Sequence, residues 1–202
     1  SVWRKIMSVE VKNLFSLSKR IIVITGAAGL LGRQHAIAVA AAEGVPVLLD
    51  LNEDAVISLA KEINDEYNVD AIGLKLDVTD ETCVSQVCKE ILVRFGKIDG
   101  LINNAANNPK IENKNGKNFS RFENFPIDIW HDDISVCLTG SYLCTKYFGY
   151  EISKNKEGGS IVNISSDLGL IGPDQRLYEV PDSSDKSQPV KPVTYSVSKA
   201  GL

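Results

Sequence analysis

Apolar positions along this chain follow two alternating patterns. Short runs rich in β-branched residues are followed by longer stretches with apolar residues three and four apart. Ile21 to Thr25 (I-I-V-I-T), Val45 to Asp50 (V-P-V-L-L-D), Ala71 to Leu76, Ile98 to Ile102 and Ser160 to Ser165 (S-I-V-N-I-S) are of the first kind. Such runs predict strands, and Ile21 to Thr25 one buried on both faces. An Ala-rich run from Arg33 predicts a helix to about Glu43, stopped by Gly44. Asn52 is the candidate cap of a helix with Glu53 and Asp54 in its first turn and Val56, Leu59, Ala60, Ile63 and Tyr67 on one face. Thr79 is the candidate cap of the next, which carries Val84, Val87, Cys88, Ile91 and Phe95 on one face and ends at Gly96. On that spacing Cys88 is core filling. A long helix is predicted over about Asp128 to Lys154. Strands alternating with helices imply an α/β fold: a doubly wound parallel sheet with helices on both faces.

Residues 1–19 read as a lead-in, with Leu14, Phe15 and Leu17 as candidates to pack on the sheet edge, and 20–202 as one domain. Met7 is a candidate natural start. The chain stops at Lys199-Ala200-Gly201-Leu202, in the first turns of a predicted helix, so C-terminal residues are expected to be missing. A polar loop from Asn107 to about Glu123 sets Lys110, Lys114, Lys117 and Arg121 against Glu112 and Glu123; it is either a solvated loop or an attractor for an anionic substrate. The stretch from Gly172 to Val193 holds four of the seven prolines and predicts a surface excursion, centred on about 173–193.

Composition narrows the function classes. A net charge of -4 gives no basic footprint for nucleic acid. The longest low-polarity run, Ala36 to Ala42, is too short to span a membrane, and no charged-then-apolar leader precedes it. Cys83, Cys88, Cys137 and Cys144 show no C-x-x-C spacing, and reduced thiols in a cytoplasmic protein are the default expectation.

The chemistry centres on Arg20 to Gly32, R-I-I-V-I-T-G-A-A-G-L-L-G. Strand, glycine turn and helix together lay a pyrophosphate on a helix N-terminus. Gly26 makes the tight turn, Gly29 admits the phosphates to the backbone, and Gly32 lets the helix pack closely on the strand. Asp50 closes the next strand 18 residues after Gly32, near the interval at which a carboxylate grips the adenosine ribose. The fold is therefore expected to be Rossmann-type. Its marked residues, Gly26 to Gly32, Asp50, Asp77, Asn104 and Ser166, fall at the carboxyl ends of strands, where such folds bind ligands.

The motifs T-G-A-A-G-L-L-G (Thr25 to Gly32), Asp77-Val78, N-N-A-A (Asn103 to Ala106), I-V-N-I-S-S (Ile161 to Ser166) and Y-S-V-S-K (Tyr195 to Lys199) occur in one order over nearly the whole chain. In this the chain resembles the short-chain dehydrogenase/reductase family. The resemblance implies an oxidoreductase that passes hydride between a nicotinamide and an alcohol or carbonyl substrate, here a sugar or another polar hydroxy compound. Y-x-x-x-K occurs three times, at Tyr142/Lys146, Tyr150/Lys154 and Tyr195/Lys199, but only the third follows the serine-ending strand. A free Tyr has a pKa of about 10, so roughly one in a thousand is ionised at pH 7. A nearby ammonium favours the phenolate, and Lys199 lies one helical turn on, on the same face. Tyr195 would exchange a proton with the substrate oxygen, Ser166 would hydrogen-bond that oxygen, and by resemblance Lys199 would also hold the nicotinamide ribose. Strand alternation favours Ser166 over Ser165.

For the cofactor, Asp50 argues for NAD over NADP, because a carboxylate accepts both ribose hydroxyls and repels a 2′-phosphate. Ala27, Ala28 and Leu51 stand where NADP users often carry a basic residue. By resemblance Gly26, Gly29, Leu30, Leu31, Gly32, Leu51, Asp77, Val78, Asn104 and Ala105 would line the dinucleotide, Asp77 at the adenine and the backbone of Asn104 and Ala105 at the adenosine ribose. The resemblance also implies a homodimer or homotetramer built on the long helix and the helix at Tyr195.

Three features depart from the family pattern. The glycine spacing T-G-x-x-G-x-x-G is more usual in the extended branch that modifies nucleotide sugars. V-C-L-T-G places Cys137 where an Asn commonly supports a water-linked proton path. Ser166 and Tyr195 are 29 residues apart, an unusually long interval that holds the excursion. G-P-D-Q-R-L-Y-E and the later K-P-V-T-Y-S-V-S-K-A-G-L resemble a bacterial subgroup linked to sugar modification, including flagellin glycosylation. Two rival functions stand beside the first: an extended-type nucleotide-sugar epimerase or dehydratase, and a non-catalytic NAD-binding regulator.

Overall fold

A computed structural model describes residues 14–107, 119–182, 184 and 188–202. Its strands are β1 (Ile21–Thr25), β2 (Val45–Asp50), β3 (Ile72–Lys75), β4 (Gly100–Asn103) and β5 (Ser160–Asn163). They form one parallel sheet in the order β3-β2-β1-β4-β5. The order reverses between β1 and β4, which puts a crevice above the carboxyl end of β1. The helices are α1 (Leu30–Ala41), α2 (Glu53–Tyr67), α3 (Glu81–Phe95), α4 (residues 127–153) and α5 (Val193–Gly201).

Alternation along the central strands feeds two cores. Ile21, Val23, Val47 and Leu49 pack with α3 (Val84, Val87, Cys88, Ile91) and α4 (Leu143, Cys144, Phe148, Ile152). Ile22, Ile24 and Leu48 point the other way, against Ala36, Val39 and Ala40 of α1 and Val56, Leu59 and Ile63 of α2. A strand buried on both sides has no polar face to show, hence the unbroken apolar runs. Cys88 is core filling, as its spacing predicts, and burial pushes its thiol up to about 11; Cys144 is pushed by burial to about 12. Among the described residues no helix is long and apolar enough to cross a membrane.

Several local expectations are corrected. α1 begins at Leu30 rather than Arg33, and its chain reversal falls on Glu43, at φ 69, not on Gly44. Gly44 is required for space instead, since a Cβ there would come within 2.9 Å of Leu17 and Val39. Thr79 does not cap α3. Asp80 does, accepting from Thr82 N and Cys83 N, because Thr79 is drawn into a turn by Asp77. Leu14 and Phe15 are exposed and only Leu17 packs, against the α1–α2 core. α4 is continuous but interrupted by π-helical turns at Ser135–Thr139 and Thr145–Gly149, the first of which contains Cys137. Lys110, Glu112, Lys114 and Lys117 lie outside the described residues, and Arg121 bonds Glu123 at 2.6 Å.

Asp99 fastens the sheet at the end away from the crevice. It is 5% exposed. Burial alone would raise its carboxyl, but the Ile21 N–H, Lys97 and Arg20 together hold it below the usual range. Asp99→Ala leaves the buried Ile21 N–H without its acceptor and takes one partner from Lys97 and from Arg20, which keeps Glu157, so a loss of about 2 kcal/mol is expected by urea denaturation. Because the folded pKa is depressed, this contribution is present above the unfolded value of about 4 and fades as pH falls through the folded one. The gap between wild type and variant should therefore be full at pH 6 and narrow in acid.

Candidate active site

The β1–α1 turn is built around missing side chains. Gly26 sits at φ 63, and a Cβ there would come within 2.9 Å of Ala105 Cα. At Gly32 a Cβ would collide with Gly26 O and lie 2.7 Å from Ala27 Cα, so the helix rests directly on the turn. Gly29 is the N-cap of α1, and no side chain caps its first amides. That leaves N–H groups and the positive end of the helix dipole for an anion.

Two neighbouring strand ends hold this turn in place. Asp50 Oδ2 accepts from Ala28 N at 3.1 Å and Oδ1 from Asn52 N at 3.1 Å, so the carboxylate lies against the glycine turn. Thr25 Oγ1 accepts from Asn104 N at 3.0 Å and Ala105 N at 3.1 Å. Asn104 Nδ2 returns the contact by donating to Thr25 O and Gly26 O, both at 3.0 Å. Leu30, Leu31 and Leu51 are exposed around the turn. Arg33 does not face a nucleotide; it pairs with Glu62 of α2. Asp77 Oδ1 accepts from Thr79 N and Oγ1, and the buried Val78 packs against α4 at Gly140.

The third Tyr/Lys pair reaches the same end of the sheet. Lys199 is 6% exposed, and its ammonium donates to Ile164 O at 2.6 Å, just beyond β5. It lies 6.0 Å from the ring centre of Tyr195. Ser165 Oγ donates to Lys199 O at 2.6 Å, which ties α5 to the serine loop. Ser166 Oγ donates to Asp167 Oδ1 at 2.8 Å and accepts from Leu168 N. The other two pairs sit elsewhere. Lys146 bonds Glu81, Lys154 lies 4.2 Å over the Tyr150 ring, and Tyr142 and Tyr150 are both 62% exposed.

The Ser166–Tyr195 excursion returns through Lys191, whose ammonium lies 3.9 Å over the Tyr195 ring. Sequence reasoning missed Lys191, since no local pattern says where a 29-residue excursion lands. It also gave Thr25 no role, although a polar residue closing an apolar strand was a readable sign. A cleft of about 360 Å³ opens against the first turn of α5, lined by Ser120, Arg121, Gln175, Lys191, Val193 and Ser196 among others.

Comparison with known proteins agrees with this architecture. Residues 20–178 match the model of the short chain dehydrogenase family, to which this chain belongs. It is 34% identical over 163 residues to trans-4-hydroxycyclohexanecarboxylate dehydrogenase of Sinomonas cyclohexanicum, covering 77% of this chain and 58% of that protein. It is 25% identical over 188 residues to post-translational flagellin modification protein A of Campylobacter coli, covering 92% and 68%. The solved structure of an NAD+-bound xylitol dehydrogenase superposes with a TM-score of 0.75 at 24% identity, covering 92% and 61%. The chain thus spans between half and seven tenths of the length of these relatives.

The Thr25 bridge gives a direct expectation. Thr25→Val keeps the shape and removes the acceptor of two amides. Stability should fall by about 2–4 kcal/mol, and amide exchange should accelerate first at Asn104 and Ala105.

Proposed function

We propose that this chain carries the nucleotide-binding and proton-transfer parts of an NAD-dependent oxidoreductase acting on a secondary alcohol or its ketone, of the polyol or hydroxylated-ring class. The observation that carries the reading is Lys199. It is buried, bonded to Ile164 O and set beside Tyr195 above the sheet end that also holds the glycine turn.

The residues present fit a dinucleotide. The turn Gly26–Gly32 offers uncapped amides to a pyrophosphate, and the Asp50 carboxylate already lies against that turn. Asp50 would accept from the ribose hydroxyls and oppose a 2′-phosphate, and the preference for NAD over NADP rests on it. Leu30, Leu31 and Leu51 offer exposed apolar surface for the dinucleotide to cover. Asp77, Val78, Asn104 and Ala105 would border its adenosine half. When bound, the nicotinamide supplies the hydride acceptor or donor.

The rest falls to the chain's own side chains. In the oxidation direction the Tyr195 oxygen takes the hydroxyl proton of the substrate; in reduction it returns one. Lys199, one turn on, sets its ammonium 6.0 Å from the Tyr195 ring centre and is held in place by Ile164 O. Ser166 exchanges its bond to Asp167 for one to the substrate oxygen. The cleft lined by Gln175 and Lys191 borders the first turn of α5 on the side of the excursion and would receive the substrate.

The test is NADH formation from a panel of polyols and hydroxycyclohexanecarboxylates by wild type and Tyr195→Phe. The phenylalanine variant should bind NAD with unchanged affinity and lose about 10²–10⁴ in kcat. Equal turnover by both proteins would remove Tyr195 from the mechanism.

A further inference from the structure

Helix α5 brings Tyr195 and Lys199 to the site, yet no side chain caps its N-terminus, where Pro192 stands. What fixes that end comes from another helix. Thr194, the residue before Tyr195, is 1% exposed, and its hydroxyl donates to Oδ2 of Asp133 on α4. Asp133 is 5% exposed. Asn107, in the loop that leaves β4 after Asn104 and Ala105, also bonds this carboxyl. One buried acid thus joins the long helix, the start of α5 and the loop beside the nucleotide cradle.

The rest of α5 is fixed differently. Ser165 Oγ holds Lys199 O, and Gly169 lies so close that a Cβ there would come within 2.7 Å of the Lys199 carbonyl carbon. Gly201 packs on Leu138 of α4. These contacts pin the helix from Lys199 onward. Tyr195 stands a full turn earlier, next to the Thr194 anchor and with the Lys191 ammonium over its ring. Adjacent residues of a helix are about 100° apart around its axis. The rotation that seats the Thr194 hydroxyl on Asp133 therefore also sets where the Tyr195 phenol points.

We propose that Asp133 is a positioning residue for Tyr195, acting through Thr194 to fix the rotation of the first turn of α5. A buried carboxyl is costly to keep. Burial raises the Asp133 carboxyl, while the bonds from Thr194 and Asn107 and the charge of Asp132 modify that rise. A purely structural site could be filled more cheaply by an apolar residue. Misplacing a proton-transfer group by about 1 Å can cost on the order of 10² in rate, which gives the acid a use.

The proposal rests on Tyr195 being the proton-transfer residue, so its test includes a readout that needs no turnover. The full chain, labelled with 13C at the tyrosine ζ carbon, is compared as wild type, Asp133→Asn, Asp133→Leu, Thr194→Val and the Leu/Val double variant; Tyr195→Phe assigns the resonance. Asn keeps an oxygen that can accept from Thr194; Leu and Val end the bond. The Tyr195 resonance is expected to move or broaden in Asp133→Leu and Thr194→Val and to stay in place in Asp133→Asn. In parallel, kcat should fall about 30- to 100-fold in Asp133→Leu and in Thr194→Val, with KM and NAD affinity within about threefold. The double variant should be no worse than either single one. An unmoved resonance with unchanged kcat overturns the proposal. So does a loss in Asp133→Leu that Thr194→Val does not share, or a fall in NAD affinity that matches the fall in kcat. A resonance that moves in Asp133→Leu and Thr194→Val, while the wild type turns over no alcohol, would keep Asp133 in its role and reject the redox reading.

Discussion

The Thr25 hydroxyl holds this site together. It stands at the end of β1 and accepts from the amides of Asn104 and Ala105 at the end of β4. Those two strands are the pair between which the sheet reverses its order. An open α/β sheet has a crevice at such a point, and hydrogen bonds across it set its width. With the Asn104 amide bonded back to Thr25 O and Gly26 O, the turn at Gly26 cannot shift without breaking the β4 loop as well. The missing Cβ of Gly26 lets the two segments come this close.

Everything functional is fixed relative to that junction. Asp50 reaches it from β2 through Ala28 N. Lys199 approaches from the far side by bonding Ile164 O beyond β5, which pairs with β4. Tyr195 and Lys199, the pair proposed for proton transfer, are carried on a short helix held to the serine loop and to α4 by specific contacts: a serine hydroxyl, two close glycines and one buried carboxyl.

Much of this was legible in the chain, for reasons that differ by element. Strands β1 and β2 are buried on both sides, so their apolar runs carry a strong signal, and their bounds match the expectation residue for residue. The shorter β3, β4 and β5 were located with their ends misplaced: the expected run overruns β3 by one residue at each end and β5 by two at its end, and at β4 it starts two residues early and stops one short. Caps proved harder. Thr79 and Asp80 are adjacent and both suited to capping, and the choice was settled by Asp77, which engages Thr79 first. The glycine turn and the third Tyr/Lys pair were readable because each needs particular residues at a fixed local spacing. Lys191 over Tyr195 and Asp133 under Thr194 were not, because each joins residues brought together only by the folded chain.

The central claim is that the ends of β1, β2 and β4 form one dinucleotide cradle whose nucleotide choice depends on Asp50. The most direct measurement is a thermal-shift titration of the chain with NAD and with NADP, repeated on Asp50→Asn. The account predicts saturable stabilisation by NAD, about 2.7 kcal/mol at a hundredfold excess over Kd, a weaker response to NADP, and a narrowed difference between the two in Asp50→Asn. No stabilisation by either nucleotide, or an equal response that Asp50→Asn leaves unchanged, would contradict it.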